Sequence, residues 1–226
     1  AMQPSALEAD YIRLYGNDFW AALCAPVTGQ SAYLTLFFMW GLMSAAMMMP
    51  TFAPTLKTYR DLTHTEAASG RTFTALIATY LGVWLGFSAL AAAVQLELAR
   101  ADLLGVDGAS VSLGLTSILL LIAGGYQFTP LKEACLSKCR APLTFFMQHW
   151  TPGVRGAGIM GVKLGLVCLG CCWALMSLGF VGGVMNLIWM GVATVLMVVE
   201  KLPQIGRLVT RPLGIVLVAA GLWTGL

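Results

Sequence analysis

Charge is scarce in this sequence. Only 10% of its 226 residues are Asp, Glu, Lys or Arg, where a soluble globular domain carries roughly 25%, so a water-facing surface of ordinary composition is excluded. Histidine is scarcer still, with only His64 and His149 present. No Glu-x-x-His or His-x-x-x-His occurs, which removes the di-iron carboxylate bundles. No histidine, acid and nucleophile can be argued into a triad. No glycine-rich phosphate loop follows a strand, because no strand pattern is evident. Basic residues do not form a stripe interleaved with aromatics, so the net charge of +3 does not point to nucleic acid. Glu200 is the only acid near a span at the depth of the sulfur residues, which disfavours a hard-cation site for Mg or Ca.

Apolar residues, by contrast, are abundant, at 58% with a mean hydropathy of +0.81. Runs without internal charge cover 31–49, 72–95, 110–128, 164–181 and 183–199, each near the ~20 residues that carry a helix across a bilayer core. Residues 208–226 make a sixth span if Arg211 snorkels to the interface. The expected fold is all-α: a polytopic transmembrane bundle of about six spans, forming a single integral membrane domain over 1–226. Residues 1–30 hold too many charges to span. Ser5 and Glu8 have capping-box spacing, and Tyr11, Tyr15 and Phe19 recur every four residues beside Trp20. This pattern predicts a short helix on the outer interface. Pro50 and Pro54 are expected to stop the first helix, the stretch 129–163 to form a long loop, and 181–183 to be the only turn between the fourth and fifth spans.

Lysine and arginine accumulate on the cytoplasmic side of membranes. Placing the loop after the first span inside puts eleven of the thirteen basic residues there, leaving only Arg13 and Arg100 outside. Both termini then face out, and an outer N-terminus implies a preceding segment, either a removed signal or a further helix.

Sulfur is the residue class in excess, with six Cys and twelve Met. In the first span Met39, Met43 and Met47 recur at intervals of four and share a helix face, with Met48 and Met49 beyond them. In the fourth span, "VCLGCCWALM" repeats that spacing with Cys168, Cys172 and Met176, and Cys168 and Cys171 form a Cys-x-x-Cys pair. In "KEACLSKCRAP", Cys135 and Cys139 lie one turn apart if helical. The topology brings Met47 to Met49, Cys135, Cys139, Glu200 and Cys168 to Cys172 to a common depth near the cytoplasmic face. Thiolate and thioether are soft ligands that favour Cu(I), and thiolates also suit zinc. Three thiols in five residues serve packing no better than alanine, whereas any single Met is more simply a gap-filler. Cys24 is the only outer cysteine and has no partner in the chain.

The stretches "WGLMSAAMMMP", "YQFTPLKEACLSKCRAP", "GVKLGLVCLGCCWALM" and "GGVMNLIWM" with "EK" resemble, in that order, a bacterial family of integral membrane proteins known only as predicted metal-binding. The resemblance runs from about Met39 to Lys201 and implies metal binding by cysteine and methionine in the bacterial cytoplasmic (inner) membrane. It implies no reaction.

Three functions are open at this level. The first is a soft-metal site, copper or alternatively zinc, with Cys168, Cys171 and Cys172 as ligands, Met43, Met47, Met48 and Met176 as secondary ones, and Cys135 and Cys139 receiving or releasing the ion. The second is thiol-disulfide exchange between Cys135/Cys139 and Cys168/Cys171. The third is a scaffold role in a larger membrane assembly. Expected partners are the lipid bilayer and other membrane subunits.

Overall fold

A computed structural model describes residues 30–63, 70–105 and 107–225. The interfacial helix expected within 1–30, with Cys24, and His64 lie outside these residues. The described chain is an all-α bundle built from α1 (Gln30–Thr63), α2 (Gly70–Arg100), α3 (Leu113–Tyr126), α4 (Pro130–Arg140), α5 (Pro142–His149), α6 (Gly153–Ser177), α7 (Gly179–Gly182), α8 (Leu187–Lys201) and α9 (Gly206–Gly225). Among the described residues four stretches, Ala32–Leu62, Gly70–Arg100, Gly153–Gly182 and Gly206–Gly225, are long and apolar enough to cross a membrane. The α3–α4 pair, bent by 63°, would make a fifth.

Pro50 and Pro54 do not stop α1, which runs through both to Thr63. An interior proline costs ~3 kcal/mol of helix propensity. Both rings are exposed here, while Phe52, Thr55 and Tyr59 on the other face are buried. Phe52 stacks on Tyr80 with centroids 3.8 Å apart, and Tyr59 packs on Phe73, Phe146 and Trp150. This aromatic packing on the opposite face supports the backbone, and membrane helices tolerate interior prolines where neighbouring helices do so.

The stretch expected as a loop over 129–163 is helical instead: it contains α4, α5 and the first turns of α6, including Arg155 and Lys163. The local signals are conventional ones that the charge count masked. Thr129 caps α4, accepting from the Lys132 amide; Pro130 stands at its first position, and Lys138 and Arg140 in its last turn complement the helix dipole. The third apolar run forms a helix of only 14 residues, capped by Ser112. The fifth forms one of 15, capped by the Asn186 carboxamide, which accepts from the amides of Ile188 and Trp189. The connection before it is longer than a three-residue turn: it includes α7 and Gly183 at φ 91°. There Trp189 Nε1 donates to Leu178 O at 2.8 Å, and a Cβ at Gly182 would collide with the Trp189 ring.

Helices α2 and α6 form the most extensively packed pair. Gly161 and Gly165, four apart on α6, make this possible. A Cβ on Gly161 would overlap Thr79 Oγ1 and Leu76 O, and one on Gly165 would stand 2.8 Å from Val83 Cγ2. Small residues at this spacing let two backbones approach closely. The consequence is local: one turn beyond Gly165, Cys168 faces Tyr80.

At the ends of α4 and α8, Lys132 and Glu200 form an ion pair at 2.8 Å with both side chains almost fully buried. Arg140 Nε donates to Glu200 O at 2.9 Å. Glu200 therefore serves as a structural partner. These two bonds dock α4 against the end of α8, which brings Cys139 and Lys201 towards α6.

Candidate metal centre

The cysteine-rich turn of α6 is the centre of the site. Cys168, Cys171 and Cys172 are buried, and their sulfurs all lie within 4.8 Å of one another. Positions i, i+3 and i+4 share a helix face, so the primary sequence alone puts the three thiols together. Cys171 Sγ donates to Cys168 O at 3.0 Å and Cys172 Sγ to the same oxygen at 2.8 Å. Both S–H groups are thus satisfied inside an apolar bundle, as buried polar groups require.

Other helices complete the cluster. Met48 of α1 places Sδ 4.0 Å from Cys168 Sγ and 3.9 Å from Cys172 Sγ. Cys139 of α4 brings its Sγ to 3.9 Å from Cys171 Sγ. Metal–thiolate bonds are about 2.3 Å for zinc, and three sulfurs at that radius around a trigonal ion stand about 4 Å apart. Two sides of the Met48–Cys168–Cys172 triangle have that length, at 4.0 and 3.9 Å, and the third is no longer than 4.8 Å. The donors are all soft, the set that suits Cu(I).

Polar groups converge on Cys168. Tyr80 Oη shares a hydrogen bond with Cys168 Sγ at 3.1 Å, and Lys201 Nζ donates to the same sulfur at 3.1 Å. Lys201 also donates to Thr51 Oγ1 at 2.9 Å, and Thr51 Oγ1 in turn donates to Met48 O at 2.9 Å. An ammonium beside a thiol is the charge that complements a thiolate, in surroundings where an isolated charge is costly. A small cleft of about 20 Å³ opens among Thr51, Phe52, Tyr80, Cys168 and Lys201, room for roughly one water-sized occupant.

Of the residues expected at the site, the fold gathers Cys168, Cys171, Cys172, Cys139 and Met48. Cys135 is half-buried and sets its Sγ against Gly170 instead, 2.7 Å from where a Cβ would stand. Met43 is half-buried, and Met47 and Met176 are buried. None of these three sulfurs lies within hydrogen-bonding range of a cysteine thiol among the described residues. Met176 falls one turn further along α6 than Cys172. His149 is occupied locally, with Nδ1 3.0 Å from Phe145 O and its ring stacked on Phe145.

Lys201, Tyr80 and Thr51 were not singled out by sequence reasoning. Lys201 ends an apolar run next to Glu200, Tyr80 is a lone phenol within the second run, and Thr51 directly follows Pro50. A polar hydrogen-bonding group inside or bounding an apolar span is the available signal in each case.

No curated protein and no solved structure matches the chain. A family model described as PpoB2, copper chaperone, matches residues 37–224, a range that includes every member of the sulfur cluster, and the chain belongs to this family.

Proposed function

We propose that the protein is a copper-handling protein of the bacterial inner membrane that takes Cu(I) as its cargo into the cluster on α6. One observation carries the reading: four thiols and one thioether from three helices meet in a buried volume, at separations that fit a soft ion. Cys168, Cys172 and Met48 would hold the ion. Cys171 and Cys139 form an adjoining pair that can accept it by exchanging one sulfur ligand for another.

Charge balance favours this set. Two thiolates, one Cu(I) and the Lys201 ammonium sum to zero, which is what a low-dielectric site requires. Binding would release the protons of Cys168 and Cys172, the second of which now lies on Cys168 O, while Cys171 stays a thiol. Lys201 and Tyr80 would keep Cys168 oriented throughout, as partners of a ligand rather than ligands.

The membrane setting is supported by the outward face of the bundle. Phe38, Leu42, Leu90, Leu166 and Val216 are all exposed, and an apolar exterior of this extent suits lipid. With α1 entering from outside, the basic residues of α4 and α9 and the ends of α6 and α8 that carry Arg155 and Lys201 lie on the cytoplasmic side. The cluster then sits a few turns inside that face. Other membrane subunits are the partners expected to deliver or receive the ion.

The test is elemental analysis of protein purified anaerobically with Cu(I) and without chelator. The expected result is about one copper per chain, lost in Cys168→Ala/Cys172→Ala while helicity is retained. Copper-free protein with every thiol titrating as accessible would overturn the proposal.

A further inference from the structure

The start of α9 and the corner between α3 and α4 border an open groove of about 1040 Å³. It shares no lining residue with the cleft beside Cys168. Arg207 and Arg211, one helical turn apart on α9, line one side, and Gln127 with Phe128 and Thr129 lines the other.

Three features define what would fit there. Gln127 is only 5% exposed, yet neither end of its side-chain amide has a hydrogen-bond partner, an exception among buried polar groups that calls for an explanation. Charge is the second. The groove is lined by two guanidiniums, Arg207 and Arg211, and one carboxylate, Glu133, which lies 4.0 Å from Arg207 Nε and 3.6 Å from Nη1 of the buried Arg140 behind it. The third is the first turn of the 11-residue α4, whose cap Thr129 and Pro130 line the groove, so that the positive end of the helix dipole faces it. The flanks are apolar: Phe128 and Leu208 are 52% and 75% exposed.

We infer that this groove binds the phosphate of an anionic phospholipid, phosphatidylglycerol in chemical type. Arg207 and Arg211 donate to the phosphate oxygens, the Gln127 amide, buried beneath the groove, turns outward to meet the headgroup, and an acyl chain runs along Phe128 and Leu208. Basic pockets between helices at the cytoplasmic face are suited to such headgroups. The inference rests on the membrane placement proposed above, with α9 beginning at that face. A soluble phosphate ester offers the same oxygens but leaves the apolar flanks uncovered.

Native mass spectrometry of the full chain in mixed micelles tests this, using phosphatidylglycerol, phosphatidylcholine and inorganic phosphate as probes. Phosphatidylglycerol should be retained about tenfold better than phosphatidylcholine. Arg207→Gln/Arg211→Gln should abolish that preference, and Gln127→Leu, which alters no charge, should weaken it several-fold. Arg155→Gln/Lys163→Gln removes the same charge from exposed positions of α6 and should leave it intact. Equal retention in the Arg207/Arg211 variant and this control overturns the inference, and displacement of lipid by millimolar phosphate overturns the lipid as ligand. Copper loading, measured on the same samples, should be unchanged in all variants. Failure of copper loading in the unmodified chain would count against the cargo reading alone, and solubility without detergent against the membrane placement.

Discussion

Met48 Sδ and Cys172 Sγ, 124 positions apart in the chain, stand 3.9 Å from each other. Met48 Sδ also lies 3.8 Å from Thr51 Oγ1, and Thr51 accepts from Lys201, so the methionine sulfur borders the same hydrogen-bonded groups that reach Cys168.

Met48→Leu should therefore weaken Cu(I) binding roughly tenfold to hundredfold, a range typical of losing support at a metal site, with little change in stability because the volume is conserved. Met176→Leu should leave affinity unaltered. Competition against a chromophoric Cu(I) chelator measures both, and equal losses would remove Met48 from the ligand set.

Lys201→Gln removes the cation that balances two thiolates and one Cu(I), and should lower copper affinity by about tenfold or more, since burying net charge is costly. Lys201→Arg should restore most of it. Tyr80→Phe keeps the stack on Phe52 and deletes only the hydroxyl on Cys168, so its cost should be near ~1 kcal/mol. Chelator competition with thermal melts separates these effects; a tighter site in Lys201→Gln would show that the ammonium opposes the ion.

The ion pair between Lys132 and Glu200 predicts an asymmetric mutational pattern. Removing one partner strands a buried charge, so Lys132→Met or Glu200→Met should each cost about 3–5 kcal/mol. Lys132→Met with Glu200→Met should recover much of that loss, because an apolar pair of similar volume needs no solvation. Unfolding midpoints of the three variants in detergent provide the comparison, and additive losses would contradict it.

Gly161→Leu changes no sulfur yet should abolish copper loading. The side chain would force α2 and α6 apart at Thr79 and Leu76, separating Tyr80 from Cys168. Gly158→Ala is the control, because its Cβ would meet only Thr79 Cγ2 at an ordinary 3.5 Å. Retained stoichiometry in Gly161→Leu would mean that the site does not depend on this close approach.

Helical class and the principal sulfur turn were legible in the chain. Apolar runs near span length, interrupted by few charges, have few ways to satisfy their backbone other than helix, and Cys168, Cys171 and Cys172 share a face by periodicity alone. Helix limits were less legible. Pro50 and Pro54 are strong local stop signals, overridden by the burial of Phe52 and Tyr59 on the opposite face. The charge of segment 129–163 suggests a loop, although Thr129 and Pro130 form a cap signal; α4 arises from that cap and from burial of Lys132 and Arg140 against Glu200.

Local spacing thus settled that three thiols would stand on one turn of one helix, because helical periodicity is a property of neighbours in sequence. Which sulfurs join them depends on distances between helices that no local rule contains. Met48 reaches 4.0 Å and 3.9 Å from Cys168 and Cys172, and Cys139 reaches 3.9 Å from Cys171, distances set by how α1 and α4 are placed beside α6. Lys201 and Tyr80 came to Cys168 by the same docking: a polar group within a bundle takes the partner that packing leaves within reach.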